Sequence, residues 1–162
     1  MYHKGVDGKI RKMRGLIVKA DKFYFKDKEK STWPEGIKEY QGFEKEGKEF
    51  SDVINVWVCI EKDDKKSYVQ KLSERIKDLN DTFYKLSDVV VLPFGHLSNR
   101  LADPETTLEL INFLVDLLKQ LNFKVDLATF GTHKDLKFEI PGQPAQMSYF
   151  EFPYSGKKPE VD

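Results

Sequence analysis

A chain of 162 residues with 27 Lys+Arg, 27 Asp+Glu and a formal net charge of zero has the size of one compact domain rather than two. With 40% hydrophobic and 13% aromatic residues it is too apolar to be disordered, yet no apolar run reaches the roughly 18 residues of a membrane-spanning helix. The N-terminus also lacks the apolar stretch of a secretory signal, so a soluble, cytoplasmic protein is predicted.

The single cysteine, Cys59, allows no internal disulfide, and with three histidines it is too little for a His/Cys metal cage. Neither a metal nor a cofactor is expected. A neutral total argues against a nucleic-acid partner unless it hides a basic patch, because phosphate binding takes clustered Lys and Arg.

Residues 1–12, with Lys4, Lys9, Arg11 and Lys12 against Asp7, are read as a mobile basic tail. Gly15-Leu16-Ile17-Val18 and Lys22-Phe23-Tyr24-Phe25-Lys26 are β-type runs that together predict an opening hairpin. Residues 26–49 are mostly Lys, Glu and Gly around Trp33-Pro34, and read as a polar connection over the surface. Val53 to Ile60 is the most β-prone segment.

Tyr68, Leu72, Ile76, Leu79 and Phe83 then recur at helical spacing, which predicts an amphipathic helix between Asp63 and Lys85. Asp88 to Leu92 is a strand buried on both faces. After the loop Pro93-Phe94-Gly95-His96-Leu97-Ser98-Asn99, Asp103 and Pro104 signal a helix start, and Leu108, Ile111, Leu114 and Leu118 predict heavy burial. Strands are predicted over 123–128, 134–140 and 146–152, with a turn at Pro141-Gly142-Gln143-Pro144 and a linker from Ser155 to Asp162. The expectation is a single α/β domain over 13–154, a mixed β-sheet packed with two main helices.

No Walker loop, GxGxxG, CxxC, HExxH or GxSxG occurs. Cys59 lies in an apolar strand and reads as a structural thiol. Two loops remain, each at the end of a strand and each with a histidine: Pro93-Phe94-Gly95-His96-Leu97-Ser98 and Phe130-Gly131-Thr132-His133-Lys134. Carboxyl ends of neighbouring strands are where open α/β sheets build their sites, so His96, His133 and Lys134 converge if those strands are adjacent. Gly95 and Gly131 carry no Cβ and let a ligand approach the backbone. A lone histidine in such a loop more often satisfies a nearby carbonyl; two loops of matching Phe-Gly-(x)-His character favour a site.

These loops, the helix between them and Gly142-Gln143-Pro144 resemble the N-terminal editing domain of archaeal threonyl-tRNA synthetase, which shares the D-aminoacyl-tRNA deacylase-like fold. The likeness runs from about Met13 to Tyr149. It implies a hydrolase that removes serine from Ser-tRNA(Thr), proofreading for the synthetase, because serine lacks only one methyl of threonine and a binding pocket separates such neighbours by only ~1–3 kcal/mol.

The resemblance further implies that Lys134 contacts the aminoacyl group, that His96 stands beside the scissile ester, and that His133 replaces a usual tyrosine. Ile60 and Gly95 match backbone contacts to the terminal adenosine, with Pro93, Phe94, Gly131 and Gln146 completing the expected substrate contacts. The partners it implies are the tRNA(Thr) 3′ end carrying serine, the rest of a threonyl-tRNA synthetase in cis or in trans, and a second copy in a homodimer.

One departure follows the turn: where the family has a glutamate, this chain has Gln146 or Met147. That departure supports an alternative, a non-catalytic module that binds the tRNA 3′ end. D-aminoacyl-tRNA deacylation is a third reading, for which no Ser-Gln-Phe-Thr-like or Gly-Pro-Val-like run is present.

Overall fold

The predicted opening hairpin is one long strand. The structure, a computed structural model, describes residues 12–153, so the expected basic tail lies outside the described residues except for Lys12, as does the expected linker at 155–162. In chain order the elements are β1 (Met13–Lys30), β2 (Lys48–Cys59), α1 (Lys66–Leu79), β3 (Asp88–Pro93), α2 (Pro104–Gln120), β4 (Lys124–Leu127), β5 (Thr132–Glu139) and β6 (Met147–Phe152).

β1 does not turn at Lys19-Ala20-Asp21-Lys22 because that stretch has neither glycine nor proline. Its side-chain alternation changes phase instead. Met13 and Ile17 belong to the core under the helices, whereas Phe23 and Phe25, of the same parity, join Ala20 on the opposite face. The change falls where Asp21 and Asp52 stand opposite each other outside the regular pairing, and Asp52 has the left-handed φ of 52° that Asp tolerates better than most residues.

β1 pairs antiparallel with β2 on one side. On the other side its first half takes β6 and its second half takes β5. β2, β3 and β4 are mutually parallel, joined by crossovers through α1 and α2. The order is β4-β3-β2-β1-β5 with β6 beside β1, a six-stranded mixed sheet with two helices, as the sequence predicts.

α2 begins as its sequence signals: the Asp103 carboxylate accepts a hydrogen bond from the Thr106 amide at 3.0 Å. Ile111, Leu114 and Leu118 are buried as predicted and Leu110 joins them, whereas Leu108 is half-buried. The predicted face of α1 is buried at Tyr68, Leu72, Ile76 and Leu79, but Phe83 is exposed. The chain widens into a π turn over Asn80–Tyr84, closed by the Lys85 amide on the Asn80 carbonyl. The wider turn rotates Phe83 outward and sends Tyr84 inward, where its hydroxyl donates to the Ala145 carbonyl at 2.6 Å. β3 is buried on both faces, with Val89 and Val91 under the helices and Val90 and Leu92 on the other side.

Gly15 fixes how closely β1 can be flanked. A Cβ there stands 1.8 Å from the Trp57 carbonyl oxygen and 2.7 Å from the Phe150 ring. Gly15→Ala is therefore expected to destabilise the domain by about 1–3 kcal/mol or more, as overpacking against a backbone that cannot yield. Denaturant midpoints measure this, and an unchanged midpoint contradicts it.

Among the described residues, neither α1 nor α2 covers the second face. Phe23, Phe25, Val90, Leu92 and Ala128 pack there with Trp57, Phe94 and Phe138, and the Phe23 and Phe138 rings stand 5.1 Å apart. These contacts bring β5 back toward the carboxyl ends of β3 and β4.

Candidate functional site

A cleft of about 550 Å³ opens where the carboxyl ends of β2 and β3 and the loop after β4 meet the start of β5. It brings together Lys134, His96, His133, Ile60, Pro93, Phe94, Gly95 and Gly131, every predicted site residue but one. Gln146 stands outside the residues that line it. Its side-chain carbonyl accepts from the Gln143 amide at 2.7 Å and closes the turn before β6.

Lys134 follows from strand alternation. It shares a face of β5 with Thr132, Leu136 and Phe138, so the residues that pack Phe138 inward also carry the lysine inward. Its ammonium lies 3.1 Å from Asp27 Oδ1 and donates to the Thr132 hydroxyl and the Thr129 carbonyl. The Thr132 hydroxyl in turn donates to Asp27 Oδ1 at 2.8 Å, and the Glu44 amide donates to Asp27 Oδ2 at 2.7 Å.

The Asp27 side chain is wholly buried and that of Lys134 is 8% exposed. Burial pulls the Lys134 ammonium below its ordinary pKa, against the opposing effect of Asp27. Burial also pushes the Asp27 carboxyl up, but the Glu44 amide, the Thr132 hydroxyl and the lysine outweigh it and leave the carboxyl below its ordinary value.

Both histidines are exposed. His96, on a short 3-10 turn over Gly95–Leu97, sets its ring edge-on to Phe94 at 5.1 Å. His133 borders the cleft but lies on the strand face opposite Lys134 by alternation. Cys59 is buried, and burial followed by the Glu61 charge pushes its thiol up to about 12, which suits the structural role read from the sequence.

The two glycines differ. Gly131 has φ 83° and a Cβ there would meet Gln41 at 2.7 Å, so it must be glycine. At Gly95 a Cβ would meet Leu101 at 3.1 Å, a close packing contact.

Sequence reading missed one wall of the cleft and the partners of its polar groups. The supposed surface connection supplies Ser31, Trp33 and Ile37 to the lining, with Trp33 61% exposed. The Gln41 amide holds this segment by donating to the Ser31 and Gly131 carbonyls. Asp27 was hidden in the run Lys26-Asp27-Lys28, although the alternation Phe23, Phe25, Asp27 already points it inward. Glu61, buried after β2, accepts from the Ser98 hydroxyl, the Lys12 amide at 2.7 Å and Arg14 at 3.4 Å, and so ties the His96 loop to β1. The backbone at Ile60 is partly committed, since its carbonyl accepts from the Ala102 amide.

Comparison with known proteins decides the family. The sequence family described as the archaea-specific editing domain of threonyl-tRNA synthetase matches residues 13–150. The chain belongs to that family. Similar proteins include the threonine–tRNA ligases of Thermococcus onnurineus, 33% identical over 93% of this chain, and of Pyrococcus horikoshii, 30% identical over 92%.

In both cases the match takes in 24% of the ligase, so this editing domain spans about a quarter of the length of those relatives. The structure of the c-Myc DNA Unwinding Element Binding Protein superposes with a TM-score of 0.65 over 87% of this chain and 99% of that one. At 11% identity that likeness shows the fold alone, and the D-aminoacyl-tRNA deacylase-like fold expected from the sequence is the one found. Among the described residues, no helix of the editing domain is long and apolar enough to cross a membrane.

Proposed function

We propose that this editing domain hydrolyses the seryl ester of Ser-tRNA(Thr). The observation that carries the reading is the buried ammonium of Lys134 on the wall of the cleft, within a chain of this family. Water attacks the ester carbonyl, the new C–O bond forms, the bond to the tRNA 3′ oxygen breaks, and that oxygen takes a proton. Negative charge develops on the carbonyl oxygen, and a cation fixed beside it lowers the barrier because it need not reorganise during the reaction.

Among the described residues lining the cleft none is a carboxylate; the family resemblance implies that the 2′-hydroxyl of the terminal adenosine helps to activate the water. The partners in this reading are the serine-bearing 3′ end of tRNA(Thr), the remainder of a threonyl-tRNA synthetase in cis or in trans, and a second copy of the domain. The neutral total charge implies that the domain alone grips whole tRNA weakly.

The replacement of the family glutamate by Gln146 or Met147, with the Gln146 side chain turned into the loop, favours a second reading in which the domain binds the tRNA end without turnover. Deacylation of Ser-tRNA(Thr) beside Thr-tRNA(Thr) and a D-seryl ester separates them. Selective loss of L-serine supports editing, while binding of a seryl-adenosine analogue with no hydrolysis of any ester establishes the binding module. Preferential loss of the D-ester assigns D-aminoacyl deacylation.

A further inference from the structure

We propose that Asp27 is a positioning residue for Lys134, fixing the ammonium at one point on the cleft wall together with Thr132 and the Thr129 carbonyl. The inference deepens the editing reading and rests on it for the role given to Lys134. Asp27 itself does not line the cleft, so it acts through the lysine.

Three observations carry the assignment. The first is the enclosure of the pair, with the Asp27 side chain fully buried and Lys134 nearly so, at 3.1 Å. Buried carboxylates persist only when paired and hydrogen-bonded, and both Asp27 oxygens are occupied, one by Lys134 and Thr132 and the other by the Glu44 amide. The second is the strand register at this point. β1 pairs Asp27 with Lys134 and then Glu29 with His133, which leaves Lys28 as the extra residue. The bulge falls just after the pair: Asp27 stands directly across from Lys134 in the regular register, so the two side chains share a face, while Lys28 turns to solvent against Asp135.

The third is the count of donors. An ammonium has three N–H groups, and Asp27, Thr132 and Thr129 take all of them. A substrate oxygen must therefore displace one acceptor. The Thr132 hydroxyl is the one that can leave, because it also donates to Asp27 and stays satisfied on that side. Asp27 thus holds the lysine while Thr132 yields its place to the aminoacyl group. The titratable groups around this point are Asp27 on β1, Cys59 at the end of β2 and His96 after β3, with His133 bordering the cleft from the other face of β5; the connection after β1 contributes the Glu44 amide.

The test compares the wild-type chain with Asp27→Asn and Asp27→Glu. Deacylation of Ser-tRNA(Thr) is followed from pH 6 to 10, and the Lys134 side chain is titrated by NMR. Asn keeps the shape and the hydrogen bond from Glu44 but removes the charge, so Lys134 should lose its proton at lower pH. The alkaline limb of the rate should move with it, and a limb displaced by about one pH unit lowers the rate above it about tenfold.

Asp27→Glu keeps the charge on a longer arm. Its lysine should titrate close to wild type, with kcat reduced and KM little changed. If Asp27→Asn does not fold, the Glu variant carries the test alone, and a wild-type kcat in it overturns the proposal. An unshifted Lys134 titration in a folded Asp27→Asn also overturns it. If the wild-type chain hydrolyses no seryl ester, the editing reading fails while the NMR titration still decides whether Asp27 governs Lys134.

Discussion

Lys134→Met is expected to lower deacylation of Ser-tRNA(Thr) by about 10²–10³-fold, the usual cost of removing one preorganised group from a developing oxyanion. It should also destabilise the domain, because Met fills the space but leaves Asp27 buried without its counter-ion. Breaking a buried pair costs on the order of 3–5 kcal/mol, and the low end applies here because the Glu44 amide and Thr132 hydroxyl still reach Asp27.

The pH dependence separates the two effects. In the wild type the Asp27 carboxyl is held below its ordinary value, so the pair's contribution is present above that value and fades as pH falls through the folded one. The deficit of Lys134→Met should therefore be largest near neutrality and shrink in acid as Asp27 takes up a proton. Lys134→Arg keeps the charge, but a planar fork cannot serve acceptors arranged around an ammonium, so folding should survive better than the rate. Rates corrected for the folded fraction make the comparison. Equal rates in all three proteins remove Lys134 from the chemistry.

Much of this site was legible because its two loops interrupt otherwise regular patterns. Asp103-Pro104 and the unbroken Val89 to Leu92 run fix α2 and β3, and with them the place of the His96 loop. What the sequence did not reveal depends on pairing across long separations. Asp27 meets Lys134 because β1 continues past Lys26 in register with β5, and propensity cannot distinguish that strand from a solvated charge run. Trp33 and Ile37 line the cleft through contacts that Gln41 makes to two distant carbonyls, a link with no local signature. The hydrogen bond by which Gln146 closes the turn before β6 likewise has no signature in the motif that singles it out. Phe83 was misread because helical periodicity assumes a constant turn, and the π turn widens it.

The second large effect lies behind the His96 loop, at Asp64. Its Oδ2 accepts the Glu61 amide at 2.6 Å, while Oδ1 and the Tyr68 hydroxyl are both buried without a hydrogen-bond partner. Burial, with the nearby Glu61 charge added, pushes this carboxyl from an ordinary 3.8 up to about 8, although the Glu61 amide and Arg14 oppose it.

A carboxyl raised in the folded state favours folding where it keeps its proton. Its contribution is complete below the unfolded value and is lost as pH rises toward the folded one. Asp64→Asn removes that loss, since the amide is neutral at every pH and its oxygen can still accept from the Glu61 amide. Each pKa unit is worth about 1.4 kcal/mol, so the variant should gain a few kcal/mol on the wild type between acid and mildly alkaline pH.

For a domain of this size that corresponds to a thermal midpoint higher by roughly 5–10 °C at pH 8 and little changed at pH 4. Asp64→Ala, which cannot accept from the Glu61 amide, should show less of the gain. A midpoint difference between wild type and Asp64→Asn that stays constant from pH 4 to 8 means that Asp64 ionises normally in the fold.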